Sequence, residues 1–143
     1  MKIKKLKEIA KIPTRGTDYA AGYDMYAAID EAVKIEPHTT VMISTGIAIE
    51  IPKNYFGAIY ARSGLALREG LRPAQGTAVI DEDYRGEIRI PLHNDTDKLQ
   101  TVEPGERVAQ IVFQKYLAVD FEVVDELSNT QRGAGGFGST GMK

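Results

Sequence analysis

The stretch Thr40–Pro52, TVMISTGIAIEIP, places Val41, Ile43, Ile47, Ile49 and Ile51 at odd positions, with Ser44 and Glu50 among the even ones. Successive side chains of a β-strand point to opposite faces, so this period of two describes a strand with one buried face and does not fit a helix. The same signal recurs. Tyr55–Ala61, Gly86–Leu92, Arg107–Tyr116 and Phe121–Val124 also read as strands, and the turn-forming stretches IPKN, HNDTD and EPGE separate strands along the chain. Pro91 cannot donate to a ladder and marks an edge or a bulge. Only SGLALREG reads as helix, with Ser63 as N-cap and Gly70 as the stop. Many short strands with almost no helix define an all-β fold: a sandwich, a jelly roll or a barrel.

The strand RVAQIVFQKY carries apolar groups on both faces: Val108, Ala109, Ile111, Val112 and Phe113. It is either an inner strand of a thick core or a strand that faces a second subunit. Gln110, set among them, needs a hydrogen-bond partner if buried.

At 143 residues the chain suits one domain. It has no Cys, which removes disulfides and thiolate metal sites, and its two histidines, His38 and His93, are far apart in sequence. A net charge of −2 argues against a nucleic-acid binder, because phosphate backbones are held by clustered Lys and Arg. The one basic cluster, MKIKKLKEIAK, reads as a solvated first strand. No apolar run approaches the roughly 20 residues that span a bilayer, and no signal-peptide core is visible. The expectation is a soluble cytoplasmic protein without membrane or nucleic-acid partners.

Three constellations carry possible chemistry. Asp24 lies in AAGYDMYAA, and Asp81, Asp83 and Tyr84 lie in AVIDEDYRGEI. Asp81 follows a short apolar run and precedes a polar turn. It sits where a strand emerges into a loop, a rigid mount for a base, although such a carboxylate is also an ordinary rim residue. In ARSGLALREG, Gly64 permits close approach of backbone to ligand, Ser63 offers a hydroxyl, and Arg62 can grip phosphate through two hydrogen bonds; the same stretch also suits a capped surface helix. The terminal RGAGGFGSTG is either a loose end or a strip that closes over a ligand, with Phe137 on a flat ring and Arg132 on an anion. A phosphate grip, an aromatic stack, a poised carboxylate and acidic groups suited to Mg²⁺ through water together fit a nucleoside polyphosphate.

Five segments in order resemble the homotrimeric dUTPases over nearly the whole chain: AGYDMYAA, ARSGLA, GTAVIDEDYRGEI, GERVAQIVF and RGAGGFGSTG. The resemblance implies a jelly-roll-like β domain over residues 1–128 and a glycine-rich tail over 129–143 that closes on the active site. It implies three subunits with shared active sites, and hydrolysis of dUTP to dUMP and pyrophosphate with Mg²⁺, which keeps dUTP low and supplies dUMP for thymidylate synthesis. In that family Asp81 would activate the water that attacks the α-phosphorus, and Tyr84 would pack under the deoxyribose. Ser63, Gly64, Arg62 and Gln110 would hold phosphates, and Asp24 would lie near the metal through water. Arg132, Phe137, Gly138 and Ser139 would belong to the closing tail. The hairpin around Val79, Ile80 and Asp81, with Arg89, would read the base. Two positions depart from the pattern. Gln75 replaces an Asn six residues before Asp81, and Ala61 replaces a Pro before Arg62. A dCTP deaminase, a non-catalytic nucleotide-binding regulator and a purely structural trimeric module are the competing readings. The first lacks its catalytic Glu here, the second would lack Asp81, and the third leaves five polar motifs unexplained.

Overall fold

A computed structural model of the chain describes residues 1–136. Short strands account for nearly all its regular structure, as the alternation requires. They are β1 (Lys2–Lys5), β2 (Thr14–Arg15), β3 (Tyr23–Tyr26), β4 (Val33–Ile35), β5 (Thr40–Ser44), β6 (Ile47–Glu50), β7 (Tyr55–Tyr60), β8 (Leu71–Pro73), β9 (Ala78–Ile80), β10 (Arg89–Asn94), β11 (Gln100–Val102) and β12 (Arg107–Lys115). They form a five-stranded sheet in the order β2-β3-β12-β7-β9, a three-stranded sheet β5-β10-β8, and the pairs β1-β6 and β4-β11. All pairings are antiparallel. Strands β8 and β10 pack against β12. Between them lies one apolar core that includes Met25, Ile43, Ile59, Leu71, Ile90, Leu92, Val108 and Ile111. The lysine-rich β1 is exposed throughout, the solvated strand expected of it.

Five local readings change. The alternating stretch Thr40–Pro52 is two strands, because the chain turns at Thr45–Gly46. Gly46 has φ +64°, and a Cβ there would come within 2.8 Å of the Ala10 Cβ and 3.0 Å of the Ala28 Cβ. Thr45 is buried and spends its hydroxyl on the carbonyl of Ile88. Thr45 continues the inward-facing odd positions, so parity survives the break and hides it from a periodicity count.

The two-faced look of Arg107–Tyr116 has a similar origin. Between Arg107 and Ala109 the register against β3 shifts, a β-bulge that turns both Val108 and Ala109 inward. Beyond it Ile111 faces the core, while Val112 and Phe113 remain half-buried. Pro91 lies in β10, the centre of its sheet rather than an edge. Its carbonyl accepts from Ala74 N at 2.7 Å, one residue past the end of β8. A strand residue points its N and O to the same side, so the missing donor falls where the neighbouring strand has run out.

The expected helix is a single wide turn, Leu65–Glu69, closed by Gly70 N donating to Leu65 O. Gly70 does stop it, at φ +66°, but Ser63 makes no capping bond and is exposed. Phe121–Val124 is not a strand. Among the described residues nothing pairs with it, and Phe121 and Val123 are 93% and 98% exposed. A strand needs a neighbour for its backbone groups, and none lies among the described residues.

Gly46→Ala should therefore cost about 2–3 kcal/mol, from a left-handed non-glycine residue and a Cβ without space. Chemical denaturation checks this, and a change below about 0.5 kcal/mol would mean the turn can relax.

Candidate active site

The third motif leaves β9 at Ile80 and re-enters the sheets at Arg89. Its tip is a tight turn, with Tyr84 N donating to Asp81 O at 3.2 Å. Arg85 ties the turn together, donating from Nη1 to the carbonyls of Glu82 (2.6 Å) and Tyr84 (3.0 Å). The Tyr84 ring lies back across Gly86, where a Cβ would stand 2.4 Å from the phenolic oxygen. That hydroxyl donates to Glu87 O at 2.9 Å. The ring is thus fixed yet 43% exposed.

The foot of this hairpin rests on the Thr45–Gly46 break. Ile88 N donates to Ile47 O at 2.9 Å, and Thr45 Oγ1 donates to Ile88 O. Glu87 Oε1 accepts from Gly46 N at 2.8 Å and from Ser44 Oγ. The result is a cleft of about 250 Å³ that brings together Gln75, Val79, Ile80, Asp81, Tyr84 and Arg89. Asp81 is exposed at its rim and also lines a wider cleft of about 600 Å³ with Phe56, Glu82 and Tyr116. The hydrogen bond to Glu82, then burial and the charges of Glu82, Asp81 and Asp83, push the Tyr116 phenol above its ordinary range.

The phosphate-type residues gather elsewhere. Gly16, Gly22, Asp24, Arg62, Ser63, Gly64 and Gln110 line a separate cleft of about 430 Å³. Gln110 stands at the centre of the five-stranded sheet, in register with Asp24 on one side and Tyr60 on the other. Its Nε2 donates to Ala61 O at 2.9 Å. Its Oε1 occupies the space of a side chain at Gly22, where a Cβ would be 2.3 Å away. Asp24 is 15% exposed and accepts from Arg62 Nε at 2.7 Å and from Arg107 Nη1 at 3.1 Å. Arg62 also donates from Nη1 to Arg107 O, at 3.4 Å. Both carboxylate oxygens are therefore engaged by arginines, a contact that motif spacing did not reveal. Arg107 itself was absent from the sequence-level site. The signal was its place at the head of the fourth motif, one strand from Asp24.

Among the described residues, none of the tail lines either cleft. Arg132 Nε donates to Gly135 O at 2.8 Å within its own turn, and Gly133 N donates to Thr130 Oγ1 at 3.0 Å. Phe137, Gly138 and Ser139 lie outside the described residues.

This geometry places the first four motifs on a fold that known proteins share. The dUTPase family model matches residues 8–141.

The chain belongs to the dUTPase family.

It is 49% identical over 141 residues to a deoxyuridine 5'-triphosphate nucleotidohydrolase of Hydrogenobaculum, covering 99% of this chain and 97% of that one. It is 43% identical to the enzyme of the same name from Paramecium bursaria Chlorella virus 1, covering 98% and 96%. Among solved structures, a mutant dUTPase of Staphylococcus bacteriophage 80alpha with dUpNHpp superposes at a TM-score of 0.86 with 29% identity, covering 98% of this chain and 97% of that one. A mutant dUTPase of S. aureus phage phi11, solved for the coordination of a structural Mg(II) ion, matches at 0.78 with 26% identity over 87% and 96%. The family assignment drawn from five short motifs and the all-β class are borne out. No helix among the described residues is long and apolar enough to cross a membrane.

The Asp24 ion pairs give a stability prediction. Asp24→Ala should cost about 2–3 kcal/mol by chemical denaturation, since it strands two arginines on a largely buried site. Glu50→Ala, which removes the exposed partner of Lys2, should cost less than about 0.5 kcal/mol. Equal losses would show that the Asp24 cluster is an ordinary surface contact.

Proposed function

We propose that this dUTPase hydrolyses dUTP to dUMP and pyrophosphate. The observation that carries the reading is the Asp81–Tyr84 hairpin, a carboxylate and an aromatic ring on one rigid, glycine-shaped turn beside a base-sized cleft. Asp81 holds a water and takes its proton as the oxygen bonds to the α-phosphorus. The bond from that phosphorus to the bridging oxygen breaks, and pyrophosphate leaves. Val79, Ile80, Gln75 and Arg89 surround the base, and Tyr84 packs on the deoxyribose. Ser63, Gly64, Arg62 and Gln110 take the phosphates, with most of the catalysis coming from position and charge.

The same reading takes a homotrimer with shared sites, for a geometric reason. Gly57 pairs with Ile80, so Asp81 follows opposite Phe56, whereas Gln110 pairs with Tyr60 two strands away from β9. Four residues at ~3.3 Å and two strands at ~4.8 Å set Asp81 and Gln110 about 16 Å apart. That separation supports the reading in which a second copy supplies the other half of each site. The tail, residues 129–143, then closes over the assembled site, Arg132 toward phosphate and Phe137 toward the base.

For Mg²⁺ the donor set decides what fits. Among the described residues no group of three or more His, Cys, Asp or Glu is placed to hold a metal, and both oxygens of Asp24 already accept from arginines. These residues fit an ion carried by the triphosphate rather than a protein cage, with Asp24 reaching it through water at most. When bound, the ion supplies charge compensation on the departing pyrophosphate.

Asp81→Asn should bind nucleotide and lose ~10²–10⁴-fold in turnover; loss of only a few-fold would move the base elsewhere. Substrate choice is checked with dCTP, which presents the reversed donor–acceptor edge and should be rejected by about 10⁴-fold in kcat/KM. The shared site is checked by refolding Asp81→Asn together with a Ser63→Ala, Gln110→Ala double variant. If hairpin and phosphate cleft come from different chains, roughly a quarter of the sites regain both in an equal mixture. A mixture as inactive as its parts would end the shared-site reading.

A further inference from the structure

Glu87 reaches from the hairpin back into the body of the fold, as do Glu82, which accepts from Asn54 N, and the buried Ile88. Its Oε1 accepts from Gly46 N at 2.8 Å and from Ser44 Oγ. It is half-buried, and among the described residues no cation forms an ion pair with it and no donor reaches Oε2. The acceptor at Oε1 is therefore what the fold uses, not the charge. The same residue's carbonyl accepts the Tyr84 hydroxyl at 2.9 Å. Glu87 thus joins two things through one residue: the rigid Ser44–Gly46 turn on its side chain, and the ring of Tyr84 on its backbone. Gly46 is buried, with Ala10, Ala28 and Lys7 close around it, which limits how far it can follow a displaced hairpin. Gly86 leaves the Tyr84 ring in direct contact with the backbone that Glu87 anchors. Glu87 and Tyr84 line the same cleft.

We propose that Glu87 is a positioning residue: seated on Ser44 and Gly46, it fixes the height of the Tyr84 ring over the hairpin and so sets the exclusion of ribonucleotides. This rests on the reading above in which Tyr84 packs on the deoxyribose. A 2′-hydroxyl adds one polar group on the sugar. A ring held in place rejects it by contact, whereas a ring free to tilt admits it. Anchoring the hairpin carbonyl, rather than touching the nucleotide, is how Glu87 acts.

The test is kcat/KM for dUTP and for UTP in the parent and in Tyr84→Ala, Glu87→Ala, Glu87→Gln and Ser44→Ala. Tyr84→Ala examines the underlying reading. If it leaves the dUTP to UTP ratio unchanged, the ring does not sense the sugar, and both statements fall. If the ratio collapses there, Glu87→Ala should also lower it, by about tenfold or more, mainly through a higher KM for dUTP and a lower one for UTP. Glu87→Gln keeps an oxygen at Oε1 and should stay within about twofold of the parent. Ser44→Ala removes one of the two donors and should lower the ratio roughly 3–10-fold. Should Glu87→Ala fail to fold, the Ser44→Ala and Glu87→Gln pair carries the decision. An unchanged ratio in Ser44→Ala and in any folded Glu87→Ala, beside a collapsed ratio in Tyr84→Ala, overturns the positioning role. So does a Glu87→Gln ratio as low as that of Glu87→Ala, because charge rather than the acceptor would then matter.

Discussion

The foot of the Asp81–Ile88 hairpin on the Thr45–Gly46 turn is the contact on which the rest of the site depends. It ties the end of the hairpin that carries Asp81 to the β5–β6 turn through backbone and side chain together: Ile88 N to Ile47 O, Thr45 Oγ1 to Ile88 O, and Gly46 N and Ser44 Oγ to Glu87. The proposed role of Asp81 requires it to be held while its ligand is absent, since order imposed at the moment of binding costs affinity. The hairpin meets that demand with little apolar packing of its own. Its side chains from Asp81 to Arg85 are mostly exposed, and only Ile88 is inserted into the core. Polar bonds to a buried, closely surrounded glycine replace the core that the tip lacks.

The second organising fact is the distance between two clefts on one sheet. Gln110 at the centre of β12 and Asp81 beyond the end of β9 are rigidly related through β7. Ladder bonds across β12, β7 and β9 hold Gln110 and Ile80 in one frame, and Asp81 follows directly on Ile80.

Much of the site was legible in the residues. Glycines beside charged or aromatic groups marked it, and each has a physical reason in the structure: Gly22 makes room for Gln110, Gly86 for the Tyr84 ring. What was illegible has a common cause. Thr45 sits at an inward position and satisfies its hydroxyl with a carbonyl 43 residues away, so no local pattern distinguishes it from a surface threonine. Arg107 and Asp24 are 83 residues apart and meet only because β12 pairs with β3. The Phe121–Val124 stretch has strand composition, but composition does not supply a neighbour.

Alternation and turn residues by themselves determined that this chain is all-β, where most strands lie, and which segments carry polar chemistry, because side-chain period and turn propensity act over a few residues. The tertiary structure alone decided that Thr40–Pro52 breaks in two, that Val108 and Ala109 share a bulge, that Asp24 is held by two arginines, and that the cleft of Arg62, Ser63 and Gln110 stands apart from the cleft of Asp81. Each of these is set by register between strands distant in sequence, and register is a property of pairs that no single strand contains.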